Sequence, residues 1–300
     1  KQALVTGGAG FIGSNLVDGL IQEGYRVKIL DNLSTGRIEN LDHVMHAVDF
    51  TQGDIQDVEV VEKMVKGCDV VFHQAAVVSV PLTVKDPVMS SLVNDIGTLN
   101  VLEAARKTKV KRVVLASSCA VYGDDPSLPK KEAMAVKPQT PYAVQKFTNE
   151  LNAAIYTSLY GVETVCLRYF NVFGPRQDPS SPYSGVISIF MNKAKEGQAP
   201  VIYGDGSQYR DFIFVKDVVR ASLLGAEKEN IGLAVLNIGT GSSVTIASLW
   251  SLIASVSQCF AEPRYEEPRT GDIFGSRAHT DKARKRLGFE PKTSFEDGLK

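Results

Sequence analysis

A chain of 300 residues, 44% hydrophobic and 22% charged, has material for one large α/β unit or for a nucleotide domain with a smaller lobe, and is not disordered. Its 33 basic and 34 acidic side chains leave a formal net charge of -1, which excludes the basic footprint of a nucleic-acid-binding protein. A negatively charged ligand must therefore be met by locally placed arginines and helix N-termini.

The cysteines, Cys68, Cys119, Cys166 and Cys259, are widely spaced and form no C-x-x-C pair, so reduced and mostly buried thiols are expected. No apolar stretch approaches a membrane span of about 20 residues, and the opening KQALVTGG is too short an apolar run for a signal peptide. The expected protein is cytoplasmic, with no membrane partner. The chain opens without methionine and stops inside a helical pattern at Glu296–Lys300, which leaves room for native extension at either end.

Taken in chain order, short apolar runs predict strands at Ala3–Thr6, Arg26–Leu30, Val48–Gln52, Val70–His73, Arg112–Ser117 and Thr164–Tyr169. They are nearly continuous in Val, Ile and Leu, as expected for strands covered on both faces. Amphipathic helical patterns lie between them at Ser14–Glu23, Val58–Lys66, Leu92–Lys107 and Pro141–Leu159. This alternation predicts an α/β fold, a doubly wound parallel (Rossmann) sheet over residues 1–170. After Asn171 the loops lengthen and gain Gly and Pro, predicting a smaller C-terminal substrate-binding lobe over 171–300. Segments near 210–240 (Arg210–Ala226 and Val235–Gly239) are candidates to return to the first domain.

The first strand runs into Gly7-Gly8-Ala9-Gly10-Phe11-Ile12-Gly13, and a helical pattern follows. Alone, a glycine-rich turn signals only a tight turn. Between a buried strand and a helix it predicts dinucleotide binding, because glycines let the backbone approach a pyrophosphate and the helix terminus offers free N–H donors. Asp31, closing the second strand 18 residues after Gly13, suits a ribose diol and repels a 2′-phosphate, which favours NAD over NADP despite nearby Arg37. Asp54-Ile55, at the end of the third strand, is placed to meet adenine; the alternative is a strand-terminal Asp serving turn amides.

Thr140 followed by Pro141 marks a helix start, with Tyr142 in the first turn and Lys146 four residues on, on the same face. A tyrosine near its ordinary pKa needs roughly 4 kcal/mol of differential stabilisation to titrate near neutrality. The lysine ammonium, the helix terminus and a positive nicotinamide are the expected sources. Ser117-Ser118 end the fifth strand at the carboxyl edge, where such sheets bind ligands; Ser118 would hold the reacting hydroxyl while Tyr142 takes its proton. A helix cap or strand-end turn is the competing use of these serines. His43, His46 and His279 lack ligand spacing, His73 reads as structural, and no metal is expected.

TGGAGFIG, HQAA at His73–Ala76, SSCAVYG at Ser117–Gly123, PYAVQK, and RYFNVFGP at Arg168–Pro175 resemble the extended short-chain dehydrogenase/reductases over essentially the whole chain. Among these, the sequence is most similar to the UDP-sugar 4-epimerases, and HQAAVVSVPLTVKDP to those acting on UDP-N-acetylglucosamine as well as UDP-glucose. The resemblance implies a retained NAD: Tyr142 draws the O4 proton while hydride leaves C4, and the 4-keto sugar turns over and is reduced on its other face. It implies that Lys146 binds the nicotinamide ribose and that Asn32, Gln74, Ala75, Ala76, Asn94 and Tyr169 join the cofactor site. Ser79, Asn171, Gln177 and Arg210 would meet the substrate, with Arg269 and Asp272 at its nucleotide end. Ser276, four after the Asp of Gly271-Asp272, would line the space beside the sugar's C2 substituent. A homodimer through a four-helix bundle is implied as well.

The sequence departs from the related dehydratases and decarboxylases, which carry an acid where Cys119 and Ala120 stand, and Ile273-Phe274-Gly275 falls where epimerases vary. The alternatives are a 4-epimerase of another UDP-sugar such as UDP-glucuronate, a dehydratase, or a non-catalytic dinucleotide-binding protein.

Overall fold

The computed structural model describes residues 1–178, 185–268 and 274–300. Seven strands form one parallel sheet: β1 (Gln2–Thr6), β2 (Arg26–Asp31), β3 (Val48–Gln52), β4 (Val70–His73), β5 (Arg112–Ser118), β6 (Glu163–Tyr169) and, from much later in the chain, Leu233–Ile238. The order is Leu233–Ile238, β6, β5, β4, β1, β2, β3, so the topology reverses between β1 and β4. That reversal opens a crevice at the carboxyl ends of the two strands, the place where doubly wound sheets take ligands.

Both faces are covered, which explains the near-continuous apolar strands. On one face α1 (Phe11–Gln22) packs with the later helix Val215–Glu227 through Val17, Leu20, Val218 and Val219. On the other lie α2 (Val58–Val65), then two short helices α3 (Val80–Lys85) and α4 (Pro87–Ser91), then α5 (Gly97–Thr108) and α6 (Pro141–Tyr160). Local chemistry sets the ends. Asp57 caps α2 by accepting from Glu59 and Val60 amides; Thr140 caps α6, Pro141 occupies its first turn, and Gly161 closes it at φ 71°.

The predicted helix over Leu92–Lys107 is in fact two pieces. Leu92–Ile96 forms a wide π turn, and the regular helix starts at Gly97. The cause is tertiary: the buried Asn94 carboxamide bonds the Val77 backbone and Gln145, holding this turn in a form that regular winding does not give.

Beyond β6 come β7 (Asn171–Phe173), α7 (Val186–Lys195), β8 (Val201–Tyr203), β9 (Tyr209–Arg210), β10 (Phe212–Phe214), α8 (Val215–Glu227), β11 (Leu233–Ile238), β12 (Val244–Thr245), α9 (Ile246–Ser257) and β13 (Arg264–Glu266). These short strands pair as β10 with β7, β12 with β9 and β13 with β8. A separate core joins α7 and α9, where Phe190 and Trp250 meet edge to face at 5.7 Å.

Candidate active site

The turn after β1 has the form a pyrophosphate needs. Gly7 stands at φ 70°, and a Cβ there would lie 2.7 Å from the Ala75 amide nitrogen; one at Gly13 would lie 2.0 Å from the Gly7 carbonyl oxygen. Gly10 caps α1 without a side chain, and the first turn holds no acid, so its N–H groups meet no competing carboxylate. Phe11 and Ile12 are half-buried in that turn. Asp31 braces it, accepting from the Ala9 amide at 2.9 Å and the Leu33 amide at 2.8 Å. Arg37, which would otherwise suit a 2′-phosphate, pairs with Asp178 at 2.5 Å. These groups fit a dinucleotide with a free ribose diol.

Asn32 donates to Asp54 at 2.7 Å, and Asp54 accepts the Gln56 amide at 2.8 Å, so the turn-serving use of Asp54 is present. Burial presses the Asp54 carboxyl upward, but the bonds from Gln56 and Asn32 outweigh it and hold the group below the usual range. Ile55 is buried against Gly97, where a Cβ would fall 2.5 Å from its Cδ1.

At the end of β5 the alternation of the strand separates the two serines. Ser118 accepts the Ala120 amide at 3.1 Å and so caps the turn Cys119–Tyr122, the competing use of the serine, and it also acts on the Tyr142 phenol, lowering its pKa. Ser117 points elsewhere and donates to buried Glu150 at 2.5 Å. Lys146 is buried, donates to the Ala116 carbonyl at 2.9 Å, and holds its Nζ 5.8 Å from the Tyr142 ring centroid. Burial pushes the half-buried Tyr142 up to about 12, with the Ser118 hydrogen bond pulling the other way. The sequence reading expected a lowered tyrosine; desolvation is the larger effect in the protein alone.

The floor of the crevice is a buried hydrogen-bond chain. His73 meets Thr6 Oγ1 at 2.8 Å and Thr98 Oγ1 at 2.9 Å, and Thr98 donates to the Asn94 carbonyl at 2.6 Å. With both ring nitrogens on hydroxyls, burial pushes His73 down to about 3 and keeps it neutral. Asn94 has its amide hydrogens on Val77 O and Gln145 Oε1 and takes the Val77 amide at 2.7 Å. It therefore positions the loop holding Gln74, Ala75 and Ala76. Gln74 donates to the Tyr169 hydroxyl at 3.3 Å and leaves Oε1 buried without a partner.

Four of the residues expected at the substrate meet on the other side. Asn171 donates to Ser276 Oγ at 3.2 Å; Arg210, on the next short strand pair, donates to the Tyr209 and Phe274 carbonyls at 3.0 and 3.2 Å. Gln177 reaches the Val172 carbonyl at 3.4 Å. Asn171, Gln177 and Arg210 line one cavity of about 290 Å³ with Phe190, Ile202 and Tyr203, a polar rim on an apolar wall. Ser79 is buried and caps α3 through the Leu82 amide at 3.1 Å. Arg269 and Asp272 lie outside the described residues.

Asp211 was missed by the sequence reading. Wholly buried, it accepts from Thr240 N and Oγ1, Gly241 N and Ala278 N at 2.7 to 3.0 Å, while its carbonyl takes both the amide and the side chain of Asn171. It ties three walls of the pocket together. The signal was a carboxylate directly before the apolar run Phe212–Val215, where burial demands partners. The pair Glu150–Arg168, 2.7 Å apart and buried behind β5, was missed for the same reason.

The model of the NAD dependent epimerase/dehydratase family matches residues 3–239. A UDP-glucose 4-epimerase of Mycolicibacterium smegmatis is 39% identical over 302 residues, covering 99% of this chain and 96% of that protein. Among solved structures, a UDP-N-acetylglucosamine 4-epimerase of Methanobrevibacter ruminantium, in complex with UDP-N-acetylmuramic acid, is 41% identical with a TM-score of 0.95 over 100% of this chain and 96% of that one. A UDP-glucose 4-epimerase of Thermus thermophilus in complex with NAD is 36% identical, with a TM-score of 0.90 over the same shares. The chain is thus an NAD-dependent enzyme of the epimerase/dehydratase family.

Proposed function

We propose that the protein inverts C4 of a UDP-hexose, acting on UDP-N-acetylglucosamine and UDP-N-acetylgalactosamine and on the UDP-glucose and UDP-galactose pair. The feature that carries this reading is the grouping of Ser118, at the carboxyl edge of the sheet, with Tyr142 and with Lys146, whose Nζ stands 5.8 Å from the Tyr142 ring centroid, beside a turn built for pyrophosphate. NAD, held by the turn of Gly7, Gly10 and Gly13 and by Asp31, supplies a hydride acceptor that returns what it takes. Ser118 orients the O4 hydroxyl, and Tyr142 removes its proton and gives it back. Lys146 holds positive charge beside the phenol, and Arg210 brings a forked donor to the diphosphate. No acid stands at Ala120 to drive loss of the C6 hydroxyl.

Partner and location follow from the same reading. Val144, Leu151, Ile155 and Leu159 lie exposed along α6, with Leu92 and Ile96 on the neighbouring π turn, an apolar face suited to a second copy of the chain. All four thiols are free, in keeping with a reducing compartment such as the cytoplasm. Among the described residues no helix is long and apolar enough to cross a membrane. The deciding experiment is NMR product analysis with a panel of UDP-hexoses. Reversible C4 inversion is expected; a 4-keto-6-deoxy product or stoichiometric NADH release overturns the reading.

A further inference from the structure

Tyr142, Lys146 and Glu150 follow one another at intervals of four on one face of α6, and that face lies against β5. The buried residues of α6 are Ala143, Gln145, Lys146, Asn149, Glu150 and Ala153, so the apolar side chains among them are two alanines. Methyl groups alone do little to stop a helix sliding or turning on a sheet; directional polar bonds do more. Two such bonds reach consecutive residues of β5. Lys146 Nζ donates to the Ala116 carbonyl at 2.9 Å, and the Ser117 hydroxyl donates to Glu150 Oε1 at 2.5 Å. The next residue of the strand is Ser118.

Glu150 is gripped from the far side by Arg168, which stands opposite Ser117 on β6. Its Nε donates to Oε1 at 2.8 Å and its Nη2 to Oε2 at 2.7 Å, a fork that fixes orientation as well as distance. The guanidinium carbon lies 4.8 Å from the Tyr122 ring centroid, and the Tyr122 hydroxyl donates at 2.6 Å to Asn237 on β11, the strand beyond β6. Ser117, Glu150 and Arg168 are all buried. A buried ion pair adds little stability over apolar residues of the same size, and its best-attested use is to fix register. We propose that Glu150 is a positioning residue: clasped by Ser117 and Arg168, it sets the register of α6 on β5, and with it the placement of Tyr142 and Lys146 against Ser118.

The role in turnover rests on the catalytic assignment proposed above; the register of α6 does not, so the test reads the two separately. Glu150→Asp keeps the charge that Arg168 needs but is a methylene shorter and does not reach both partners. The register is read by NMR of protein carrying ¹³C-carbonyl alanine, with the Ala116 signal assigned from Ala116→Gly. In Glu150→Asp that signal is expected to move upfield, toward its position in Lys146→Met, as the bond from Lys146 weakens. In turnover, kcat should fall about 10²-fold, the cost of a displacement of about 1 Å, with KM and retained NAD nearly unchanged. Glu150→Met combined with Arg168→Met leaves no buried charge unpaired, so it should fold and still be slow. An Ala116 signal at its wild-type position in folded Glu150→Asp overturns the proposal, as does a wild-type kcat in the folded double variant. A wild type inert on every UDP-hexose defeats the proposed function and leaves the Ala116 signal to decide the role of Glu150.

Discussion

Asn171 on β7 donates its side-chain amide to Ser276 Oγ at 3.2 Å, across 105 residues of sequence. The hydroxyl is thereby fixed at the wall that Asn171, Arg210 and Asp211 share. Replacing Ser276 by tyrosine puts an aromatic ring into space bounded by this bond, and close-packed pockets do not absorb such overlap cheaply. Ser276→Tyr is expected to abolish activity on the N-acetylated pair while UDP-glucose and UDP-galactose still interconvert. Equal loss of both activities shows that Ser276 is not the gate. Phe274, the other candidate for closing this space, is 62% exposed and packs on Tyr209 at 5.7 Å.

Tyr142→Phe keeps the ring that Lys146 approaches and removes only the hydroxyl. Folding and NAD binding should be nearly unchanged, with turnover down by at least ~10²-fold as general-base catalysis is lost. Circular dichroism and cofactor retention check the first part, and single-turnover kinetics the second. A near-wild-type rate assigns the base elsewhere.

Much of this site was legible because its chemistry sits on local signals. The glycine turn, the Thr140–Pro141 start and the tyrosine–lysine spacing are each set by a few neighbouring residues, and Ser118 falls one residue beyond the predicted strand end. What stayed hidden depends on distant contacts. Asn94 falls inside a helix that the periodicity reads as regular, and the bonds of its carboxamide to Val77 and Gln145 come from parts of the chain that periodicity does not see. The use of Asp211 needs the fold to bring Thr240 and Ala278 to it. The rise of Tyr142 to about 12 reflects desolvation by the surrounding fold, which spacing along a helix does not encode.

Asp31 and the Arg37–Asp178 pair are together expected to set cofactor choice. Reconstituted protein should bind NAD at least tenfold more tightly than NADP, an estimate of about 1.4 kcal/mol for a phosphate set against a carboxylate with no arginine to receive it. Isothermal titration of cofactor-stripped protein measures the ratio. Equal affinities contradict the assignment. Asp178→Ala releases Arg37 and should narrow the gap.

His73 predicts how stability depends on pH. Its folded pKa, about 3, lies below the ordinary 6.5, so between those values the unfolded chain binds a proton that the native protein does not. This contribution to stability is therefore complete above pH 6.5 and declines as pH falls toward 3. Between pH 7 and pH 5 the loss from this one group is about 2 kcal/mol. Urea unfolding at the two pH values measures it, compared with His73→Gln, which removes the titration. An equal loss in the variant places the acid sensitivity in another group.

The strand Leu233–Ile238 carries a lesson for engineering. It pairs with β6 along six consecutive residues, although more than sixty residues of chain, the short strands and α7 of the smaller lobe among them, run between the two. The smaller lobe is thus an excursion from the parallel sheet, not an appendage at its end. A chimera made with one cut after Tyr169, to import another enzyme's sugar preference, would discard the sheet's own edge and leave β6 open to pairing with a neighbouring molecule. Specificity can be transplanted into this scaffold only as two separate inserts that leave α8 and β11 where they are.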